Sequence, residues 1–209
     1  AHCMLKPIEL PDLHVDAPLT SEMETLLQES DRRIDDFLHH WRGPIIENFV
    51  ASDYRTVNSV LHWIVEHQLN AGNMFCEWGS GFGVVTLMAS LHNFTAFGIE
   101  VEAELVDRAR SLADDLGLSA EFAQGSFIPP GGQRLIQYHE DVAHIETDTP
   151  GAYEEFDLEI ADFDLLFAFP WPGETRFWDN LFHHYAAEGA LLLTYHGIEE
   201  LRLQRKVRG

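Results

Sequence analysis

The sequence predicts an α/β fold: a doubly wound, mostly parallel β-sheet with helices on both faces. Three observations predict it. Short apolar runs alternate along the chain with longer segments whose apolar residues recur at helical spacing. The run 163–169 is apolar almost throughout, which is typical of a central parallel strand that is buried on both faces. A turn with glycine at three alternate positions, Gly79, Gly81 and Gly83, separates the run 74–76 from a second apolar segment, 84–89.

The size of the chain fits one such domain with a small appendage. It has 209 residues, of which 45% are hydrophobic, and this is ample for a single core. No apolar run approaches the ~18 residues needed to span a membrane. We expect residues 1–44 to form an N-terminal arm and helix, and residues 45–209 to form the ligand-binding domain.

The charge of the chain bears on its partners. It carries 35 acidic residues against 13 Lys and Arg, a formal net charge of -22. Such a surface repels phosphate backbones, so we expect no nucleic-acid partner and favour a small-molecule or protein substrate. The alternative is that the acidity serves only solubility or a salty habitat.

Cysteine usage and the N-terminus bear on location. A disulfide between Cys3 and Cys76 is not expected, because Cys3 lies near the start of the chain and Cys76 lies in a predicted core strand. The N-terminus shows no apolar signal-peptide core. These features favour a cytoplasmic protein without a membrane association.

The N-terminal part predicts an arm and two helices. Residues 1–19 contain three prolines and predict an irregular arm. Ser21 and Glu24 form a capping box that predicts a helix over 20–41, which Gly43-Pro44 ends. After an apolar connector at 45–51, Ser52 or Asp53 can cap a second helix that runs to about residue 69.

Acidic residues stand at two positions where a nucleoside cofactor would contact the sheet. Glu77 lies two residues before Gly79, and Glu100 ends the second apolar run, 94–99. A carboxylate at the tip of the second strand can accept hydrogen bonds from a ribose diol. A dinucleotide site would require Gly or Ala at position 84, where the chain has Val84. An NAD-dependent enzyme is therefore the least favoured of the three functions that the sequence suggests, and the other two follow below.

The pattern E-x-G-x-G-x-G over residues 77–83 resembles motif I of class I S-adenosylmethionine (SAM) dependent methyltransferases, which have a Rossmann-like fold. The resemblance covers residues ~45–200. It implies SAM as the cofactor, with Glu77 near its amino-acid end, Glu100 on the ribose and Val101 against the adenine. Ser126 stands where many members of this family have an Asp for the adenine amino group. The predicted cofactor-binding residues are Glu77, Gly79, Ser80, Gly81, Gly83, Glu100, Val101 and Ser126.

The same resemblance places the methyl acceptor beside the run 163–169 and the Pro170-Trp171-Pro172-Gly173 segment after it. The family's D/N-P-P-Y motif is absent, because Phe169 stands at its polar position. We expect Trp171 to form a wall of the substrate pocket or to contact an amine or the sulfonium by cation–π interaction, with a packing role as the alternative. Tyr195 and His196, at the tip of a fifth strand (190–195), complete the predicted catalytic set.

Two further features of the sequence have more than one interpretation. Residues 135–175 contain 11 acidic residues and no Lys or Arg, which indicates either a solvated face or a rim that attracts a cationic substrate. A metal site built from His139, Glu140, Asp141 and His144 is an alternative that lacks an H-E-x-x-H spacing, and we expect no metal. Residues 201–207 predict a sixth strand, whereas the seventh, antiparallel strand of the family is not found in the sequence, so we expect a minimal or truncated version of the fold.

The sequence thus predicts a SAM-dependent methyltransferase that transfers a methyl group by direct displacement to an amine or another nucleophile on a protein or small molecule. From another class, the alternative is a SAM- or nucleotide-binding module without catalysis. The altered acceptor motif and the missing strand favour that alternative.

Overall fold

The protein is described by a computed structural model that covers residues 3–12, 17–43, 49–136, 149–197 and 200–209. Strands and helices alternate through most of it, as the apolar pattern predicts. In chain order the elements are β1 (Cys3–Ile8), α1 (Ser21–His40), α2 (Tyr54–Glu66), β2 (Met74–Trp78), α3 (Val84–Leu91), β3 (Thr95–Glu100), α4 (Ala103–Leu116), β4 (Glu121–Gln124), α5 (Gln133–Ile136), α6 (Tyr153–Phe156), a 3₁₀ turn (Ile160–Asp162), β5 (Leu165–Ala168), α7 (Thr175–Tyr185), β6 (Leu191–Tyr195) and β7 (Leu201–Arg208).

The described strands form one mixed sheet of seven, in the order β1-β7-β6-β5-β2-β3-β4. The strands from β6 to β4 run parallel to one another, and β7 is antiparallel to both of its neighbours. The chain leaves β2 toward β3 and β4 on one side and later returns to β5 and β6 on the other. This is the strand order of a doubly wound sheet, with its switch point between β2 and β5. The predicted fold class is confirmed.

The sheet contains the seventh strand that the sequence analysis did not find. This corrects the expectation of a truncated fold and, in part, the expectation of an irregular N-terminal arm. Residues 201–208 form the antiparallel strand, and the edge position beyond it is filled by β1, with Cys3 opposite Arg208 and Ile8 opposite Leu203. The sequence predicts no strand at residues 3–8, because the prolines of this segment indicate irregular structure. Pro7 is nevertheless accepted at a sheet edge, where its missing N–H need not donate. The prediction of an irregular arm is therefore wrong for residues 3–8.

Two apolar cores flank the sheet because successive strand residues point to opposite faces. Phe75 and Leu165 face a core built with α1, α2, α3 and α4. Cys76 and Leu166 face a second core, built with α6, the 3₁₀ turn and α7. Each of these four side chains is fully buried, as expected for strands covered on both faces.

The helix boundaries follow local capping chemistry. Helix α1 is capped by Thr20, whose side chain accepts a hydrogen bond from the Met23 N–H at 3.2 Å, one residue before the predicted cap at Ser21. Asp53 caps α2 through the Thr56 N–H, as one of the two predicted alternatives. Gly117 ends α4 in a left-handed conformation.

Some expectations fall outside the described ranges. Residues 45–48 of the apolar connector and residues 139, 140, 141 and 144 of the alternative metal site are not among the described residues. The division of the chain at 44/45 stays a prediction. Within the described ranges, no helix is both long and apolar enough to cross a bilayer. No cluster of three metal-ligating side chains occurs within the same ranges.

Candidate functional site

The carboxyl ends of the parallel strands meet at one edge of the sheet, and a cavity of about 780 Å³ lies there. It opens at the switch point between β2 and β5, where doubly wound folds bind their ligands. The turn after β2, the ends of β3 and β4, the segment after β5 and His196 after β6 all contribute to its walls. Nine of the eleven residues that the sequence singled out line it: Glu77, Gly79, Ser80, Gly81, Glu100, Val101, Ser126, Trp171 and His196.

The glycine turn is held against the end of β3. The N–H groups of Gly79 and Ser80 both donate to the Ile99 carbonyl at 2.9 Å, and the Gly83 N–H donates to the Ser80 carbonyl at 2.7 Å. Gly79 has φ +74°, and a Cβ added there would meet no atom within 4 Å. Because Gly79 lines the cavity, that space belongs to the ligand site.

Gly83 has a different role from Gly79. It is not among the cavity-lining residues, and it precedes α3 in a left-handed conformation with φ +76°. A Cβ there would lie 2.6 Å from the Phe122 ring and 2.9 Å from the Ala109 Cβ. The glycine therefore allows α3 and α4 to pack closely, and its predicted cofactor role is indirect.

Glu100, at the end of β3, accepts hydrogen bonds both from the glycine turn and from the residue that precedes α4. One carboxylate oxygen, Oε2, accepts from the Gly81 N–H at 2.9 Å, and the other, Oε1, accepts from the Glu102 N–H at 3.1 Å. Burial raises its pKa above the usual value, although these backbone donors oppose the shift. Its remaining lone pairs are the acceptors that a ribose diol requires.

Glu77 is also buried, at 5% exposure, and it contacts α3. Its Oε2 accepts from both the N–H and the hydroxyl of Thr86, at 2.9 and 2.6 Å. Burial raises the pKa of Glu77 to about 8, against the effect of the Thr86 hydrogen bonds and with a further contribution from nearby Glu100. A cation placed beside Glu77 would stabilise its ionised form.

The predicted adenine side is formed by Val101 and Ser126. Val101 is half-buried, and its carbonyl accepts from the Gln124 side chain. Ser126 is 3% exposed, its hydroxyl accepts from the Ile128 N–H at 3.1 Å, and its backbone pairs with Pro150 and Ala152. The hydroxyl thus helps to shape the loop after β4, and its contact with adenine stays a prediction.

The three predicted acceptor-side residues are not equivalent. Trp171 and His196 line the cavity, whereas Tyr195 is 4% exposed and packs edge-on against Phe169, with 4.7 Å between ring centroids. Tyr195 therefore supports a wall residue instead of facing the ligand. The His196 Nε2 lies 2.8 Å from the Thr194 hydroxyl. Burial, together with nearby Arg202, lowers the pKa of His196, so its ring is neutral at pH 7.

Sequence reasoning missed the first turn of α7. Glu174, 1% exposed, and Trp178, 5% exposed, both line the cavity. The Trp178 ring stacks on Phe127 at 4.4 Å between centroids, and Phe127 stacks on Trp78 at 5.4 Å. The available signal was the i, i+4 spacing of Glu174 and Trp178, which places two side chains on one face of a helix just after a strand.

The carboxyl-bearing side chains that line the cavity outnumber its described basic ones. Four glutamates line it, Glu77, Glu100, Glu102 and Glu174, and none of the described lining residues is Lys or Arg. Such a site favours cations, and none of its described lining residues gives a phosphate group the support of a Lys or Arg side chain.

These residues fit SAM, which carries a sulfonium and an ammonium group. Open space at Gly79 lets a ligand approach the backbone. The Ser80 hydroxyl is buried and has no hydrogen-bond partner among the described residues, so it is available to a ligand. Glu77 and Glu100 supply acceptors at the two positions that the resemblance assigns to the amino-acid end and the ribose.

Comparison with known proteins agrees with this architecture. No protein-family model matches the chain, and no curated protein sequence matches it. An O-methyltransferase from Bacillus cereus in complex with S-adenosylhomocysteine (SAH) has a similar structure, with a TM-score of 0.51 and 16% identity over 87% of this chain and 68% of that one. An RNA methyltransferase from Salinibacter ruber with SAH has a TM-score of 0.48 and 15% identity, over 75% of this chain and 92% of that one.

The likeness to the Bacillus cereus structure, together with the strand order, settles the architecture. At 16% identity, this likeness is evidence for the fold alone. The sequence resemblance through residues 77–83 points to the same architecture from independent observations. The chain therefore has the Rossmann-like fold of class I SAM-dependent methyltransferases.

Proposed function

We propose that this protein is a SAM-dependent methyltransferase that transfers a methyl group to an amine or another nucleophile on a small molecule or protein. One observation carries the proposal. The glycine turn and Glu100 meet across a cavity lined by four glutamates and by no described Lys or Arg. A cationic nucleoside cofactor fits this site better than NAD does, because NAD brings a pyrophosphate.

In this proposal each cofactor-side residue binds one part of SAM. Glu100 accepts hydrogen bonds from the ribose diol, Glu77 neutralises the amino-acid end, and the backbone at Gly79 allows close approach. Val101 packs against the adenine, and Ser126 accepts from its amino group. Bound SAM supplies a methyl group on a sulfonium: the acceptor's lone pair forms the bond to the methyl carbon while the electrons of the carbon–sulfur bond stay on sulfur.

The acceptor side supplies alignment. Trp171 shapes the pocket, Tyr195 supports it through Phe169, and neutral His196 can accept a proton that the acceptor releases. Direct displacement gains most of its rate from holding the nucleophile in line with the methyl carbon. A catalytic base contributes less, and then only when the nucleophile carries a proton.

The proposal also covers the partners and the cellular location of the enzyme. The net charge of -22 disfavours a nucleic-acid partner. We also propose a cytoplasmic location, where thiols such as those of Cys3 and Cys76 stay reduced.

Calorimetric titration with SAM, SAH and NAD tests the cofactor. We expect micromolar binding of SAM and SAH, no binding of NAD, and loss of SAM binding in Glu100→Ala. Glu100→Gln is the matched variant, since it keeps the size of the side chain, and thermal unfolding shows whether either variant disturbs the fold. Binding of NAD alone would overturn the proposal.

A methyl-transfer screen then separates the enzyme from its alternative, a SAM-binding module without catalysis. The screen uses SAM labelled in the methyl group and measures transfer to amine, hydroxyl and thiol acceptors. Transfer to any of them establishes an enzyme. SAM binding without transfer to any acceptor class would favour the binding module.

A further inference from the structure

The imidazole of His196 is held at the cavity by contacts at the end of β6. Its Nε2 lies 2.8 Å from the hydroxyl of Thr194, which stands two residues earlier and therefore on the same face of the strand. Thr194 is 1% exposed, and the His196 N–H donates to the Glu200 carbonyl at 2.8 Å. Both the ring and the backbone of His196 thus have a partner where the residue lines the cavity.

The Thr194 hydroxyl indicates which ring nitrogen of His196 carries the proton. This hydroxyl donates its one proton to the Arg202 carbonyl of the neighbouring strand, in a long hydrogen bond of 3.5 Å. Its lone pairs are then free to accept from Nε2–H of the imidazole. The pattern corresponds to the tautomer in which Nδ1 is unprotonated, and Nδ1 has no hydrogen-bond partner among the described residues.

The charged groups near the ring favour its neutral form and still accommodate a proton. Burial lowers the pKa of His196 below its usual value, and Arg202 adds to this effect, whereas Glu200 and Asp179 oppose it. The Arg202 guanidinium is held by Asp179 on α7, with N–O distances of 2.8 and 2.9 Å. A neutral imidazole is a base at pH 7, and the two carboxylates stabilise the imidazolium that forms when it accepts a proton.

The cavity walls favour a planar acceptor that enters without a negative charge. Phe127 stacks on Trp78 and on Trp178, and all three rings line the cavity together with Trp171. The carboxyl-bearing lining disfavours an anion, so an oxygen nucleophile has to enter as a neutral hydroxyl. A phenol, with a pKa of about 10, gives its proton to imidazole more readily than an aliphatic alcohol does.

We propose that His196 is the catalytic base for a phenolic hydroxyl acceptor, and that Thr194 positions it by accepting from its Nε2–H. This assignment rests on the proposed methyltransferase function. The hydroxyl proton passes to Nδ1 while an oxygen lone pair forms the bond to the methyl carbon, and the carbon–sulfur electrons stay on sulfur. The products are an aryl methyl ether, SAH and an imidazolium that returns its proton to water.

The tautomer is tested without any acceptor. Protein with isotopically labelled histidine is loaded with SAH and studied by NMR at about pH 8, where the ring is neutral and long-range proton–nitrogen correlations distinguish its two tautomers. The spectrum of His196→Gln identifies the His196 signals by their absence. We expect the Nε2–H form in wild-type protein and in Thr194→Ser, and a mixture of tautomers in Thr194→Val. The Nδ1–H form in wild-type protein would overturn the proposal.

Methyl transfer to 2-naphthol tests the base. At saturating SAM and about pH 7, kcat should fall at least about a hundredfold in His196→Gln and at least about fivefold in Thr194→Val, while Thr194→Ser keeps most of it. The affinity of the SAH-loaded protein for 2-naphthol should stay within about fivefold in all three variants, because the base acts in the transfer step. Thermal unfolding shows whether each variant is folded, and His196→Asn replaces a Gln variant that is not.

The pH profile distinguishes a base from a structural role. Since transfer requires the neutral ring, the wild-type kcat should fall as the pH drops below the lowered pKa of His196. His196→Gln has no group to protonate at this position, so its residual rate should lack that acid limb. The same acid limb in both proteins would show that another group causes it and would contradict the assignment of His196.

The two proposals fail separately, because SAH binding is measured first on each protein. Wild-type protein that does not bind SAH would overturn the methyltransferase proposal and the assignment of the base with it. Wild-type protein that binds SAH and methylates 2-naphthylmethylamine but not 2-naphthol, or methylates neither, would overturn the phenolic acceptor alone. Equal kcat values for 2-naphthol in wild-type protein and His196→Gln would remove His196 as the base.

Discussion

Glu77 carries a titratable proton in the middle of the proposed cofactor site. Its carboxyl group is buried, and Thr86 donates to it from both its backbone and its side chain. Since burial raises the pKa of Glu77 to about 8, this carboxyl is mostly protonated at pH 7 in the free protein. A bound cation stabilises the carboxylate and lowers that pKa, so SAM binding and proton release are linked.

This linkage predicts that SAM binds more tightly as pH rises. From about pH 6 to about pH 8 the affinity of wild-type protein should increase by up to about tenfold per pH unit and then level off. Calorimetry in two buffers of different ionisation enthalpy should show close to one proton released. Glu77→Gln cannot ionise, so it corrects for the titration of SAM itself. Identical pH profiles for the two proteins would contradict the assignment of Glu77.

Gly83 offers a second prediction at the scale of single residues. Gly83→Ala places a Cβ against Phe122 and Ala109 in a left-handed backbone, which combines strain with overpacking. We expect the free energy of unfolding to fall by about 2–4 kcal/mol, measured by urea denaturation.

Two other glycines with positive φ serve as controls. Gly117→Ala has open space around its Cβ and lies at the end of α4, so it should show backbone strain alone, about 1–2 kcal/mol. Gly79→Ala should lose a similar amount of stability but also weaken SAH binding, because its Cβ enters the cavity. Equal losses for Gly83→Ala and Gly117→Ala would show that the contact with Phe122 has no energetic effect.

At the scale of elements, the parallel strands could be predicted and the edge of the sheet could not. The runs around residues 75, 97 and 166 are apolar because both of their faces are covered, and this pattern is local. Among the described strands, β1 pairs with β7 alone, about two hundred residues later, and its burial is incomplete. A partly exposed edge strand that contains Pro7 has no strong periodicity to detect.

Strand β1 should matter for stability despite its position. Leu5 and Ile8 pack partly against the two cores, and the Cys3 carbonyl lies 2.8 Å from the His183 Nε2. Removing residues 1–8 should lower the free energy of unfolding by about 2–5 kcal/mol. It should also increase self-association by exposing β7 as an edge. Urea denaturation and light scattering measure the two effects.

The control for this truncation keeps the strand and changes only its surface. The Met4 side chain is 53% exposed, so Met4→Lys should change stability by less than about 0.5 kcal/mol. A truncated protein as stable as Met4→Lys would show that β1 is dispensable.

The start of helix α7 contributes cavity-lining residues that the sequence did not predict. The sequence predicts acceptor-side residues at the ends of strands, which includes Trp171 and His196 but not the cavity-lining residues Glu174 and Trp178. The cofactor side was easier, because motif spacing ties those residues to backbone geometry. Acceptor residues depend on substrate shape, and no spacing rule encodes that shape.

At the scale of the whole molecule, charge is the dominant property. The chain carries a net charge of -22, and the cavity is lined by four glutamates. SAM differs from SAH by one methyl group and one positive charge. The two ligands therefore report separately on shape and on electrostatic attraction.

We expect salt to weaken SAM binding and to have little effect on SAH. Raising the ionic strength from about 0.01 to about 1 M shortens the screening length from about 30 to about 3 Å, so the SAM affinity should fall several-fold while that of SAH stays within about twofold. Calorimetry at the two salt concentrations measures both. Glu102→Gln removes one exposed carboxylate that lines the cavity and should reduce the salt effect on SAM. Equal salt dependence for the two ligands would contradict this electrostatic account.

The pairing of β1 with β7 also has a consequence for the order of folding. Residues 3–8 leave the ribosome early, but their partner strand consists of residues 201–208. Every parallel strand of the sheet is synthesised in the meantime, so β1 must wait unpaired while the rest of the sheet assembles. Closing so long a loop is slow compared with forming local contacts. We therefore expect β1 to dock onto β7 late in the assembly of the sheet, and β7 to have an open edge until it does.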